Sequence, residues 1–161
     1  VLTSLDNHAL NPRAETLLFL AARAQLVEQV IRPALSRGLV VVSDRYADAT
    51  LAYQGYGHGV DQTILRNLLD FATGGLQPDH KFLLDIDVQN GLRRKTDCGE
   101  WNRLDAYSVS FHERVRNGYL QLAAADPKRW IVIDANRERH LVQKDLRMHL
   151  SRILGSSADN N

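Results

Sequence analysis

The sequence lacks the features that mark secreted, membrane-spanning and nucleic-acid-coating proteins. Its 161 residues contain one cysteine, Cys98, so no internal disulfide can form. No apolar run reaches the length of about 18 residues that a membrane span needs, and no signal-peptide pattern is present. Basic and acidic residues number 20 and 19, which leaves a net charge of +1 and argues against a surface that binds a nucleic acid polymer. We therefore expect a soluble cytoplasmic protein that binds no membrane.

Helical and strand patterns alternate along the chain. Apolar residues at intervals of three and four predict a helix over residues 13–35, begun by the capping side chain of Asn11 before Pro12. The same spacing predicts further helices at about 61–74, 105–125 and 138–154. Short, continuously apolar runs predict buried strands at 39–42, 82–86 and 130–133. This order indicates an α/β protein with a parallel sheet and flanking helices, whose ligands gather where the strands end.

Asp44 and Arg45 follow directly after the first predicted strand. A carboxylate at this edge of a sheet is typical of the Mg²⁺-associated aspartate of nucleotide-binding enzymes, and an adjacent guanidinium can grip a phosphate. The alternative is an aspartate that caps the next turn beside an arginine in a surface ion pair. For a dipeptide alone, the alternative is favoured.

Two further pairs suggest recognition of a nucleobase. Phe19 and Arg23 lie one helical turn apart, so a ring and a guanidinium can share one face of the first helix. Tyr53 and Gln54 add a second ring and an amide. The alternative is that the rings belong to the core and the polar groups to the surface. The glycines at 55, 57 and 59 follow a helix and predict a flexible turn.

Residues 91–105 are dense in charge and poor in apolar side chains. A mobile lid that closes arginines over transferring phosphates has this composition, and so does a solvated surface helix. The charged residues are Arg93, Arg94, Lys95, Asp97, Glu100, Arg103 and Asp105. The pair His112-Glu113 has no second histidine at zinc-binding spacing, so we expect no metal held by the protein alone.

Taken in order, these segments resemble the bacterial thymidylate kinase family over residues 13–135. The matching segments are 15–25, 30–35, 43–46, 51–55, 83–85, 102–105 and 111–116. The resemblance implies the P-loop NTPase-type fold of nucleoside monophosphate kinases, a homodimer, and transfer of the γ-phosphate of ATP to dTMP with Mg²⁺.

The resemblance also implies roles for individual residues. Phe19 would stack on thymine, Arg23 would bond the base edge, and Arg45 would hold the monophosphate near the transfer site. Thr50, Tyr53 and Gln54 would line the nucleoside pocket, with Tyr53 crowding a ribose 2′-hydroxyl. Asp44, Arg45 and Arg103 would be the catalytic residues, with Arg93, Arg94 and Arg103 on the lid. Residues 134–136 would pass near adenine.

The sequence departs from the family pattern in lacking Gly-x-x-x-x-Gly-Lys-[Ser/Thr] and the strand before it. We therefore expect one incomplete kinase domain at 1–155, a lid at about 91–105 and a flexible tail at 156–161. The central strand would be missing, so 82–86 would pair with 130–133 and a defect would lie beside 39–42. This chain alone would be inactive, because the loop that holds the ATP phosphates is absent.

Two other functions stay open from the sequence. One is a deoxynucleoside kinase of the same fold, which would phosphorylate thymidine instead of dTMP. The other is a non-catalytic nucleotide-binding remnant, in which the phosphate loop was lost in evolution.

Overall fold

The computed structural model describes residues 2, 4, 6, 7, 9–99 and 101–158. Seven α-helices and two strands follow one another in these ranges. They are α1 (Pro12–Leu26), α2 (Arg32–Ser36), α3 (Ala47–Thr50), α4 (Gln62–Thr73), β1 (Lys81–Asp85), α5 (Val88–Asp97), α6 (Val109–Ala125), β2 (Trp130–Asp134) and α7 (Arg139–Ala158). Two π-helical segments, Val27–Ile31 and Leu51–Gly57, join α1 to α2 and extend α3. None of the helices in the described part of the chain is long and apolar enough to cross a membrane.

The helices begin and end where the sequence supplies capping groups. The side chain of Asn11 accepts a hydrogen bond from the Arg13 amide, and Asp61 accepts one from the Ile64 amide. Helix α4 ends at Gly74, whose φ of 55° lies in the left-handed region that glycine adopts without strain. The first two of the four expected helices are therefore confirmed nearly to their bounds, if the first includes its π segment and α2.

The last two helices differ from the expectation at their ends. Helix α6 begins at Val109 rather than near residue 105, because Ser108 supplies the cap by accepting from the Phe111 amide. Helix α7 continues to Ala158, past residue 154. The expected tail therefore starts inside this helix, and its residues 159–161 lie outside the described residues.

The two strands pair in parallel, in register from Lys81 beside Trp130 to Asp85 beside Asp134. The pairing continues past both ends, where Lys81 donates to the Arg129 carbonyl and Ala135 to the Asp85 carbonyl. This pairing confirms the expected partnership of 82–86 with 130–133. It brings the carboxyl ends of both strands, and the loops after them, to one edge of the sheet.

The expectation of a buried strand at residues 39–42 is wrong. Within the described residues no strand lies beside this segment, and it forms none itself. Val40 is 70% exposed and Val42 is 85% exposed. Extended backbone is stable when a neighbouring strand accepts its hydrogen bonds, and a strand without such a partner does not persist alone.

The core lies between the helices and holds the π segment Leu51–Gly57 in place. Leu20, Leu65 and Leu122 join α1, α4 and α6 in the largest apolar cluster. Ala52 packs with Phe111 and Val115 of α6 in a second cluster. These two clusters anchor the π segment on both sides.

The glycines after Gln54 form part of this packed segment. The expectation of a flexible turn is wrong for Gly55 and Gly57, which are both buried in the π helix. A Cβ on Gly57 would come within 2.6 Å of the Phe111 ring, so only glycine lets the segment approach α6 this closely. The glycines thus set the position of the residues just before them.

Candidate functional site

One cavity gathers the residues that the sequence analysis assigned to substrate binding. It lies between α1, the turn before α3 and the π segment Leu51–Gly57. Its walls are formed by Phe19, Arg23, Arg45, Ala49, Thr50, Tyr53, Gln54 and Leu104. All six of the predicted substrate-binding residues are therefore in one place, although they come from two separate parts of the chain. We call this cavity, after the role that the sequence predicts for it, the nucleoside pocket.

Arg23 is fixed in the pocket by its neighbours. Its Nη1 donates a hydrogen bond of 2.7 Å to the Thr50 hydroxyl, and its guanidinium lies 5.6 Å from the centre of the Tyr46 ring. Burial lowers the pKa of Arg23 from its ordinary value. A guanidinium held in one orientation in a half-buried site is suited to donate to a planar acceptor.

Arg45 reaches the pocket through an unusual backbone conformation. Its φ of 66° makes it the one non-glycine residue with positive φ in the described chain. Its guanidinium lies 5.2 Å from the centre of the Tyr53 ring. Because Arg45 lines the pocket and is exposed, we take its position as the mouth of the pocket. Left-handed backbone at a non-glycine residue is strained, and such strain gathers at functional sites. The neighbouring Asp44 is exposed and lies outside the pocket walls.

A buried carboxylate that the sequence analysis did not identify lies beneath the pocket. Glu15, in the first turn of α1, is fully buried. Its Oε1 accepts from Gln54 Nε2 at 2.6 Å, and its Oε2 accepts from Arg103 Nη2 at 2.5 Å and from the Tyr107 hydroxyl at 3.3 Å. His58 Nε2 lies 3.6 Å from Oε1, within ion-pair range but beyond a normal hydrogen bond. We call these five residues the Glu15 network.

The Glu15 network keeps its carboxylate ionised. Burial by itself raises the pKa of Glu15. The contacts with His58, Arg103 and Gln54 and the charge of Arg103 have the opposite and larger effect, so the pKa is lowered from its ordinary value of 4.5 to about 2. The position of Glu15 in the first turn of α1 also favours the negative charge, because free amide groups point toward that end of a helix. At neutral pH the carboxylate is therefore an acceptor only.

Arg103 occupies a different place from the other two predicted lid arginines. It is 3% exposed, and in addition to Glu15 it donates to the Tyr107 hydroxyl and to the Leu2 carbonyl. Arg93 and Arg94 lie on α5 with exposed side chains. Arg94 bonds the Ala135 and Arg137 carbonyls after β2, so it ties α5 to that loop. The structure thus separates the predicted lid cations into one buried residue and two exposed ones.

A second, more open groove lies at the carboxyl ends of β1 and β2. It is lined by Leu84, Ile86, Gly91, Arg94, Lys95, Cys98 and Ala135. The loop at 134–136, expected near adenine, borders this groove and is held by the Asn136 side chain, which accepts from the Asp87 amide. Nowhere in the described ranges do three or more His, Cys, Asp or Glu residues cluster as they would to hold a metal.

Comparison with known proteins settles the family. A family model described as "Thymidylate kinase" matches residues 1–146. The chain belongs to the thymidylate kinase family. Curated members include the thymidylate kinases of Herpetosiphon aurantiacus, 48% identical over 86% of this chain and 69% of that protein, and of Roseiflexus sp., 50% identical over 85% of this chain and 66% of that protein. The chain thus spans about two thirds of the length of these relatives.

The fold agrees with the family. The crystal structure of thymidylate kinase from Ehrlichia chaffeensis superposes with a TM-score of 0.67 at 29% identity, covering 88% of this chain and 66% of that one. The chain therefore has the α/β nucleoside monophosphate kinase fold, as the resemblance implied.

Glu15, which the sequence analysis did not assign to the site, had a detectable signal. Glu15, Phe19 and Arg23 are spaced by four residues, which places them in one row on the pocket side of α1. Extending the Phe19–Arg23 pair one turn backwards finds Glu15. Its partner Arg103 lies 88 residues away in the sequence, so their contact leaves no local pattern.

Proposed function

We propose that this chain carries the dTMP site of a thymidylate kinase, an enzyme that transfers the γ-phosphate of ATP to dTMP and releases dTDP and ADP. The observation that carries the proposal is the nucleoside pocket, in which two aromatic rings, two guanidiniums, a hydroxyl and an amide converge. A convergent set of this kind fits a ligand with one planar base and one anionic group.

The base would bind between Phe19 and the π segment. The Phe19 ring offers a stacking face, and Arg23, held by Thr50, offers hydrogen-bond donors to a base carbonyl. Tyr53 forms the wall where a sugar would lie and restricts the space for a ribose 2′-hydroxyl. This arrangement favours a deoxynucleotide.

The monophosphate would bind at the mouth of the pocket, where Arg45 lies. Asp44, the neighbouring carboxylate, is single and exposed. One carboxylate does not hold Mg²⁺ alone, but it suits a Mg²⁺ ion that arrives with the phosphates of ATP, since this ion usually combines one or two carboxylates with substrate oxygens. When bound, the ion would neutralise charge on those phosphates.

The charge on the migrating phosphoryl group would be neutralised by Arg93, or by Arg94 once its exposed guanidinium releases the Ala135 and Arg137 carbonyls. Arg103 was the other candidate, but its guanidinium is committed to Glu15 and Tyr107 in a buried site. We assign to Arg103 a structural role: it holds Glu15, which in turn bonds Gln54 in the pocket wall.

The test compares dTMP and thymidine as phosphate acceptors. The protein expressed from its whole gene is mixed with ATP and Mg²⁺, and ADP release is measured with each acceptor. Release with dTMP and little with thymidine is the expected result. Preference for thymidine would identify a deoxynucleoside kinase instead, and no release or binding with either would contradict the proposal.

We further propose a homodimer, as in the family resemblance, in the cytoplasm where nucleotide substrates occur. Leu17 and Leu18 on α1 are 57% and 40% exposed, and apolar side chains on a helix surface are suited to bury against a second copy. The variant Leu17→Lys is expected to shift the sedimentation coefficient from dimer toward monomer. The matched variant Leu154→Lys changes an exposed leucine on α7 and is expected to leave the dimer intact.

A further inference from the structure

The contact between Glu15 and Gln54 fixes the orientation of an amide in the nucleoside pocket. Gln54 is 2% exposed, and its side chain lies between Glu15 below and the pocket above. An amide has a donor end and an acceptor end of almost equal size. An ionised carboxylate accepts hydrogen bonds and cannot donate them, so the donor end of Gln54 must face Glu15. The 2.6 Å contact between Gln54 Nε2 and Glu15 Oε1 has this orientation.

The fixed amide leaves an acceptor for a ligand in the pocket. Across the described residues, the Gln54 carbonyl oxygen receives no hydrogen bond from the protein. Arg23 supplies donors to the same cavity and is itself held by Thr50. The pocket therefore presents a fixed donor together with a fixed acceptor.

This pairing matches one class of pyrimidine. The edge of thymine or uracil places a carbonyl oxygen, which accepts, beside the N3–H group, which donates. The edge of cytosine reverses both, with an amino group that donates beside an N3 atom that accepts. Against Arg23 and the Gln54 oxygen, cytosine would set donor against donor and acceptor against acceptor.

We propose that Glu15 is a positioning residue for base selection: it holds the Gln54 amide with its oxygen toward the base, and so makes the pocket select a keto pyrimidine over cytosine. The proposal rests on the proposed function, because it takes the pocket to be the dTMP site. Arg103 holds the other oxygen of the Glu15 carboxylate in a buried ion pair, so this group cannot rotate away from Gln54.

The experiment measures the dissociation constants of dTMP and dCMP by calorimetry, for the unchanged protein and for Glu15→Gln. A glutamine at this position would turn its carbonyl oxygen to Arg103, which only donates, and its amino group to Gln54, so the Gln54 amide would turn over. We expect the preference for dTMP over dCMP to fall about tenfold, because cytosine gains a matching partner and thymine loses one. Glu15→Asp keeps a group that only accepts and is expected to retain most of the preference.

Two more variants separate base selection from stability. Tyr107→Phe removes two hydrogen bonds from the Glu15 network, the one that Tyr107 donates to Glu15 and the one that it accepts from Arg103. It does not touch Gln54, so its preference for dTMP should stay unchanged even if its melting temperature falls. Gln54→Met keeps the volume without the amide and should lose the preference. Glu15→Gln added to Gln54→Met should then cause no further loss of preference, because Glu15 acts through the amide.

The outcomes distinguish this inference from the proposed function. If the unchanged protein does not bind dTMP, the proposed function fails. If it binds dTMP selectively and Glu15→Gln keeps the full preference while affinity for both nucleotides falls equally, Glu15 is only structural and the inference is overturned. If Glu15→Gln does not fold, Gln54→Met decides, and full preference in that variant overturns the inference as well.

Discussion

Replacing Arg103 with methionine is expected to lower the free energy of unfolding by about 3–5 kcal/mol. Arg103 is the cationic partner of Glu15, and the side chains of both are almost completely buried. Removing one member of such a pair leaves the other charge in the protein interior without compensation. Urea denaturation at pH 7, followed by circular dichroism, measures the loss.

A second arginine in a more exposed ion pair provides the control that tests whether burial causes the loss of stability. Arg116 pairs with Asp85, where the side chains are 36% and 21% exposed. Because solvent screens a pair of this kind, Arg116→Met is expected to cost about 1 kcal/mol or less. Equal losses for the two arginine variants would contradict this account. The double variant Glu15→Gln with Arg103→Met should be more stable than Arg103→Met alone, because no unpaired charge is then left behind.

The same pair predicts how stability depends on pH. The pKa of Glu15 is about 2 in the folded protein, against an ordinary value of 4.5. A carboxyl group with a lowered pKa stabilises the fold above its unfolded pKa, and the contribution is lost as the pH falls toward the folded pKa. Between pH 5 and pH 3, the stability advantage of the unchanged protein over Glu15→Gln should therefore shrink by about 2 kcal/mol.

Much of the fold follows from local sequence patterns. Caps at Asn11 and Asp61 and the stop at Gly74 are each set by one side chain or one backbone preference, so they can be identified without tertiary information. The pairing of β1 with β2 followed from the family strand order. The gathering of Phe19, Arg23, Arg45, Thr50, Tyr53 and Gln54 also followed from the resemblance.

The π segment Leu51–Gly57 was not foreseen, because the periodicity that indicates helices assumes about 3.6 residues per turn. In this segment the His58 amide bonds the Tyr53 carbonyl, five residues back, so each turn is wider. The glycines at its end suggested a loop, yet Gly57 allows the wide turn to pack against Phe111. Tertiary packing overrides the local preference there.

The strand expected at residues 39–42 does not form, for a related reason. Its apolar, β-branched sequence is typical of a central strand, but a strand exists only with a partner to bond. In the described chain that partner is absent, and the apolar side chains are exposed. A local pattern indicates what a segment can form, and the neighbouring backbone decides whether it does.

The affinity for dTMP should depend strongly on Arg45, whose charge stands at the mouth of the pocket. Its guanidinium is held over the Tyr53 ring, so little side-chain freedom is lost when it bonds an anion. We expect Arg45→Met to weaken dTMP binding about 10- to 100-fold, since hydrogen bonds to a charged group contribute about 1.5–3 kcal/mol. Calorimetric titration of the variant and the unchanged protein measures the change.

Thymidine and a distant arginine supply the controls for this experiment. Thymidine carries the same base and sugar without the phosphate, so Arg45→Met should change its affinity by less than about twofold if the guanidinium acts on the phosphate. Arg66→Met removes the same charge from an exposed site on α4 and should leave dTMP binding unchanged, which excludes an effect of net charge. An equal loss of affinity for thymidine and dTMP would mean that Arg45 supports the Tyr53 wall of the pocket, and its assignment to the phosphate would be wrong.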